Sequence, residues 1–282
     1  MNYKEVKLAL EQIHLRPKKY LGQNFIINTN LLRKIITISE LKKNDKILEI
    51  GPGLGALTEH FLENVNQIYA IEIDPVLSKY LSEKFSIYKN IEIINGDILE
   101  IEIPKHNKVI SNLPYTITGP ILEKLFFKQN PSPAILTIEK KIADRIFLSG
   151  NYKDFSRISI GVNIFMRPAL RHPVSRSSFY PSPKIDLSLV KLIPREEVNS
   201  FLLNEATITF FLKFIAGIMP YKNKNIANAL FLGFKANRTL NYSKEAIIQI
   251  INENHYENKK VFNFQIEELI ELSRVFYSLR IN

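Results

Sequence analysis

Two rhythms alternate along the first half of the chain: short apolar runs rich in Ile and Val, then segments whose apolar residues recur every three or four positions. Residues 46–50 form such a run and stop at Gly51, and Leu57, Phe61 and Leu62 follow at helical spacing. Residues 67–73 repeat the arrangement, ending at Asp74-Pro75 ahead of Leu77, Tyr80, Leu81 and Phe85. Residues 91–94, 108–111 and 134–139 read as the third, fourth and fifth strands. Strands that alternate with helices predict an α/β fold, a parallel sheet covered on both faces. A helix is expected over 140–148, then two β-rich runs over 157–166 and 185–192 that close the same sheet, as an antiparallel pair. Beyond Pro194 the spacing is helical throughout, over 201–218, 225–234, 243–251 and 265–279. The organisation expected is a loosely held basic arm over 1–15, a sheet domain over 16–194 and a small all-helical domain over 195–282.

Composition narrows the chemistry. With 282 residues, 45% of them hydrophobic, the chain can bury one large core and a smaller one. It has no cysteine, which excludes disulfides, cysteine-held metal and a thiol nucleophile. The five histidines, His14, His60, His106, His172 and His255, show no ligand spacing, so no metal site is expected. No apolar run has the length of a signal peptide or a membrane span, and a cytoplasmic protein without a membrane partner is expected. The net charge of +10 is uneven: residues 1–48 and 134–194 each carry 10 basic and 4 acidic groups, whereas 49–133 carry 7 and 11. That distribution modestly favours a polyanionic partner.

The turn after the first strand reads Glu49-Ile50-Gly51-Pro52-Gly53-Leu54-Gly55-Ala56. Glycines there let a backbone pass close to a ligand where a Cβ would obstruct it, which suits a nucleoside cofactor. Alone, the loop serves NAD or S-adenosylmethionine equally well, since Glu72 stands 21 residues after Gly51 in either case. Later positions separate the two. Glu72 ends the second strand and can hold a ribose hydroxyl pair; Asp97 and Ile98 follow the third, where an acceptor can meet an adenine amino group; Asn112-Leu113-Pro114-Tyr115 follows the fourth. In an open parallel sheet those carboxyl ends form the binding crevice. The Asn112 side-chain oxygen and the Leu113 carbonyl, held by the fixed ring of Pro114, can accept both hydrogens of an adenine amine and aim its lone pair at a methyl sulfonium. Tyr115 offers a stacking face for an extruded base, and Phe179, in a loop stiffened by prolines, a second one.

These motifs, with Gly22-Gln23-Asn24-Phe25 and the run from Phe179 to Asp186, closely resemble the small-subunit rRNA adenine dimethyltransferases, the KsgA or RsmA family, over residues 15–272. The resemblance implies a Rossmann-like class I methyltransferase domain with a small helical domain. It implies four methyl transfers from S-adenosylmethionine onto N6 of two adjacent adenosines in the 3′-terminal hairpin loop of 16S rRNA, within a pre-30S particle late in assembly. Carried over by motif, Asn24 and the Ile26 backbone close over the cofactor, Gly51 and Gly53 approach its methionine part, Glu72 holds the ribose, and Asp97 with Ile98 the adenine. Asn112 then lies between cofactor and target. A monomer is expected. The chain departs from the family pattern at Leu187, at Ser156 and in the lightly charged stretch 219–225. A macrolide-resistance type methyltransferase of large-subunit rRNA, a non-catalytic ribosome-assembly factor and an NAD dehydrogenase are the competing readings.

Overall fold

A computed structural model describes residues 1–148, 155–237 and 240–280. They divide into two compact units: the first holds 1–126, 130–144 and 166–194, and the second 127–129, 145–165 and 195–282.

The first unit is built on a seven-stranded sheet. Its elements are α1 (Tyr3–Gln12), β1 (Phe25–Ile26), α2 (Thr29–Ser39), β2 (Lys46–Ile50), α3 (Thr58–Phe61), β3 (Gln67–Glu72), α4 (Pro75–Lys84), β4 (Ile91–Asn95), β5 (Lys108–Asn112), α5 (Thr118–Phe126), β6 (Ala134–Glu139) and the start of α6 (Lys140–Ile146). After α7 (Arg157–Phe165) the chain returns with β7 (Met166–Val174), β8 (Phe179–Tyr180) and β9 (Leu187–Pro194). The strand order is β4-β3-β2-β5-β6-β9-β7, the first five parallel and β9 antiparallel to both neighbours. This is a Rossmann-like sheet. Its order reverses between β2 and β5, and at such a switch point the loops leaving the two strands diverge and open a crevice. Ile47, Leu48, Ile68, Ala70, Val109, Ile110 and Leu136 are buried. Burial on both faces is why these strands read as continuous apolar runs.

Two expectations are corrected here. Residues 157–165 are helical, and the strand antiparallel to β9 is β7 instead. Ser159, Ile160, Gly161, Val162, Ile164 and Phe165 are all buried, so the segment lacks the polar face that distinguishes a helix from a strand in sequence. Pro168 and Pro173 disguise β7, which tolerates them because it lies at the sheet edge. Nor is the N-terminus a loose arm. Asn2 accepts from the N–H groups of Lys4 and Glu5, and Glu5 accepts the Asn2 N–H in return, a capping box that starts α1. Val6, Ala9 and Leu10 are then buried against Leu15, Phe25, Leu54 and Leu77.

The second unit holds α7, α8 (Glu205–Ile218), α9 (Ile226–Asn237), α10 (Lys244–Glu253) and α11 (Ile266–Ser278). Helices α8 and α9 meet at glycines: a Cβ on Gly233 would lie 2.7 Å from the Gly217 carbonyl oxygen. Among the described residues no helix is long and apolar enough to cross a membrane, and no group of three or more His, Cys, Asp or Glu is arranged to hold a metal ion.

Candidate active site

Strand β2 ends in a turn that only glycines adopt without strain: Gly51, Gly53 and Gly55 have φ of 64°, 61° and 80°. The Gly51 N–H donates to the Ile71 carbonyl at 2.9 Å, which ties the turn to β3. A Cβ on Gly51 would find only Pro114 within 4 Å, at 3.8 Å, so the turn faces open space at this residue. That space divides into two hollows sharing Leu21, Gly51, Ile73 and Pro114. The first is lined by Asn24, Ile26, Gly53, Glu72 and Asn112, the second by Gly96, Asp97, Ile98 and the 72% exposed Tyr20.

Glu72, at the end of β3, is buried and accepts from the N–H groups of Gly53 at 3.1 Å and Asp74 at 3.0 Å. Burial pushes its carboxyl up to about 7 against those two hydrogen bonds. Glu49, which sequence reasoning did not single out, is buried on the same hollow and accepts from the Thr58 hydroxyl at 2.7 Å. Burial raises it to about 8, opposed by the Thr58 bond and reinforced by the Glu72 charge. Asp74 caps α4 and also accepts from Lys18 Nζ at 2.8 Å and Gln23 Nε2 at 2.9 Å, which fastens the segment before β1 to the end of β3. Burial works against its ionisation, but the Lys18 and Gln23 bonds hold the carboxyl below its usual range.

Asn112 ends β5, and its Nδ2 donates to the Asn24 carbonyl at 3.1 Å while its Oδ1 accepts from the Tyr115 hydroxyl at 3.3 Å. Donor and acceptor partners on opposite ends of the amide fix which way it faces. Leu113 is fully buried and its N–H is spent on the Thr137 carbonyl at 3.1 Å, leaving the main chain as its polar contribution. The phenol of Tyr115 is raised above its ordinary value by burial, so it stays a donor. Asp97 accepts the Leu99 N–H through Oδ1 at 2.8 Å, and Ile98 is buried beside it.

The sequence-distant Phe179 arrives through a two-residue antiparallel ladder, Phe25 opposite Tyr180 and Ile26 opposite Phe179. It is only 2% exposed and packs in the same core cluster as Ile26, with Tyr115 against it. The expectation of an open ring face for a base is therefore corrected: the ladder turns Phe179 inward. The crevice thus gathers Asn24, Ile26, Gly51, Gly53, Glu72, Asp97, Ile98, Asn112 and Pro114 around two joined hollows, with Leu113, Tyr115 and Phe179 behind the wall. Such a site can hold a nucleoside by its hydroxyls and base edge, and it presents an oriented amide oxygen to a second ligand.

Comparison with known proteins gives a consistent neighbourhood. The family model described as ribosomal RNA adenine dimethylase matches residues 14–271. The chain is 34% identical over 260 residues to a probable ribosomal RNA small subunit methyltransferase A of Methanococcoides burtonii, covering 92% of this chain and 93% of that one. It is 33% identical to the ribosomal RNA small subunit methyltransferase A of Borreliella burgdorferi, covering 95% and 92%. Among solved structures it is similar to a dimethyladenosine transferase from Plasmodium falciparum, with TM-score 0.73, 26% identity and coverage of 90% and 98%. The 23S rRNA methyltransferase ErmE shares the fold, with TM-score 0.60, 24% identity and coverage of 89% and 99%.

Proposed function

Because the chain belongs to the ribosomal RNA adenine dimethylase family, we propose that it transfers methyl groups from S-adenosylmethionine to N6 of two adjacent adenosines in the 3′-terminal hairpin loop of small-subunit rRNA. It acts as a monomer on a pre-30S particle in the cytoplasm. The observation that carries the reading is the convergence of Gly51, Glu72, Asp97 and Asn112 on one crevice at the carboxyl ends of neighbouring parallel strands.

The residues present fit the cofactor. At Gly51 the turn leaves room where a Cβ would project, and the buried Glu72 is already an acceptor for two donors. Asn24 and Ile26 wall the cofactor, Gly51 and Gly53 lie along its methionine part, Glu72 takes the ribose hydroxyls, and Asp97 with Ile98 takes the adenine. When bound, S-adenosylmethionine supplies a methyl group on a sulfonium that needs no further activation.

What remains for the protein is orientation and electrostatics. An adenine amine is a weak nucleophile because its lone pair is delocalised into the ring. The Asn112 oxygen and the Leu113 carbonyl accept its two hydrogens and make the nitrogen more sp³-like, so that its lone pair leaves conjugation with the ring and points at the sulfonium methyl. Asn24 and Tyr115 keep the Asn112 amide facing the right way, and Pro114 fixes the backbone between the two acceptors. Tyr115 is not the base, since its phenol holds its proton tightly; the surplus proton of the methylated amine passes to solvent. Phe179 supports the wall through Ile26 and Tyr115, and reaches the target base only if the β1–β8 ladder shifts.

The test is incubation with labelled S-adenosylmethionine and unmethylated small or large ribosomal subunits, followed by mapping of the modified base. Label as N6,N6-dimethyladenosine near the 3′ end of small-subunit rRNA is expected. Label solely in large-subunit rRNA would transfer the assignment to the resistance-type activity, and tight binding without label would leave an assembly factor.

A further inference from the structure

Helix α1 precedes residue 14, where the match to the family model begins, yet it lines the first hollow, the one bounded by Glu72 and Asn112. Val6, fully buried, and Met1 contribute to the wall that also holds Asn24, Gly53 and Glu72. On the reading that this hollow holds the cofactor, we propose that α1 is part of the cofactor site: it walls the hollow and holds the glycine turn and the β1–β8 ladder in their closed arrangement.

Three contacts carry this. The apolar face of α1 packs on Leu54, within the glycine turn, and on Leu77 of α4. It also packs on Phe25, whose ring already stands where a Cβ on Gly53 would lie, 3.0 Å from Cδ1. The third contact is Tyr3, which meets the ring of Tyr180 edge-on at 5.1 Å, and Tyr180 is the ladder partner of Phe25. Displacing α1 therefore removes Val6 from the wall and unsupports the turn and the ladder together. At its exposed start the Asn2–Glu5 capping box, with Asn2 Nδ2 to Glu5 Oε1 at 2.7 Å, adds to these contacts, and neither residue lines a hollow. Weakening the cap raises the population of displaced helix.

The experiment measures binding and release of S-adenosylhomocysteine by the full-length chain, using stopped-flow displacement and calorimetry. The variant Asn2→Ala removes the side-chain cap while leaving Glu5 to the Met1 amino group, and release is expected to quicken about fivefold, in step with the larger population of displaced helix. Val6→Ala should weaken affinity by a similar factor. A thermal melt accompanies each variant: a brace remote from the ligand would lower the melting temperature and leave release unchanged. Release rates and affinities equal to wild type in both variants would overturn the role of α1. A wild-type chain that fails to bind S-adenosylhomocysteine would instead overturn the assignment of the hollow, and the role of α1 with it.

Discussion

Glu72 gives the sharpest quantitative test, because its environment in the free protein and its proposed duty pull in opposite directions. Folding takes its carboxyl from the ordinary 4.5 to about 7, with burial the principal cause. Between those values the native state keeps a proton that the unfolded chain has released, so stability falls as pH rises through the window and levels off above about pH 8. At about 1.4 kcal/mol per pH unit, this one group accounts for a loss of about 3 kcal/mol between pH 5 and pH 8. Glu72→Gln abolishes that slope. It cannot accept well from both the Gly53 and the Asp74 N–H, so it loses roughly 1–3 kcal/mol at every pH. Urea unfolding of both proteins at pH 5, 6, 7 and 8 should show the stability gap closing by about 3 kcal/mol in favour of the variant as pH rises, with the Glu49 slope retained but shallower in the variant, where the Glu72 charge no longer reinforces it. Saturating S-adenosylhomocysteine should flatten the wild-type curve, because ribose hydroxyls donate to the charged form, and should do nothing comparable for Gln. Parallel curves for the two proteins would refute the burial argument, and equal ligand responses would refute the ribose contact.

Asn112→Ala should abolish methyl transfer while leaving S-adenosylhomocysteine affinity within a few-fold of wild type, because the proposed partner of the amide oxygen is the target amine; retained turnover in the labelled-methyl assay would remove that role. Gly53→Ala places a Cβ 3.0 Å from Phe25 at a φ of 61° and should cost roughly 1–3 kcal/mol in thermal unfolding, with weaker cofactor binding in calorimetry. Gly233→Ala brings a Cβ to 2.7 Å of a backbone oxygen on α8, which cannot rotate aside, and should destabilise the helical unit by roughly 1–3 kcal/mol without changing cofactor affinity. Binding to ribosomal RNA should weaken steeply between low and physiological salt, as phosphate contacts release counterions, and a flat response in filter binding would count against the charge argument.

The parallel strands and their carboxyl ends were legible because each signal was local: an apolar run, then a glycine, an acid or an Asn-Leu-Pro-Tyr at a fixed step beyond it. Gly51, Glu72, Asp97 and Asn112 needed no knowledge of tertiary packing, since a parallel sheet of this order brings its strand ends together by construction. What escaped was whatever depends on a partner far along the chain. Phe179 sits opposite Ile26 across more than 150 residues, and nothing near either position announces a two-residue ladder. Helix α1 looked like a polar arm because only Val6, Ala9 and Leu10 are buried, too few for a conspicuous stripe. Glu49 passed for an ordinary strand residue, although its burial and its bond from Thr58 make it one of the most perturbed acids described.

The same contacts bear on where catalytic power resides. Asn112 is held by a carbonyl at one end of its amide and a phenol at the other before any ligand arrives, so its oxygen is not free to reorient when the adenine amine approaches. A side chain fixed in advance lets reaction proceed without reorganising its acceptor. That matters for a reaction in which the leaving group is already activated and the weakness lies wholly in the nucleophile. The carbonyl that fixes the amide belongs to Asn24, one residue from Phe25, and Phe25 touches Gly53, α1 and the β8 ladder. Loosening any of these supports therefore reaches the acceptor geometry as well as the cofactor wall. Variants of the supports should lower turnover more than they raise the cofactor Kd, whereas variants of Asp97, which touches only the second hollow, should show the reverse.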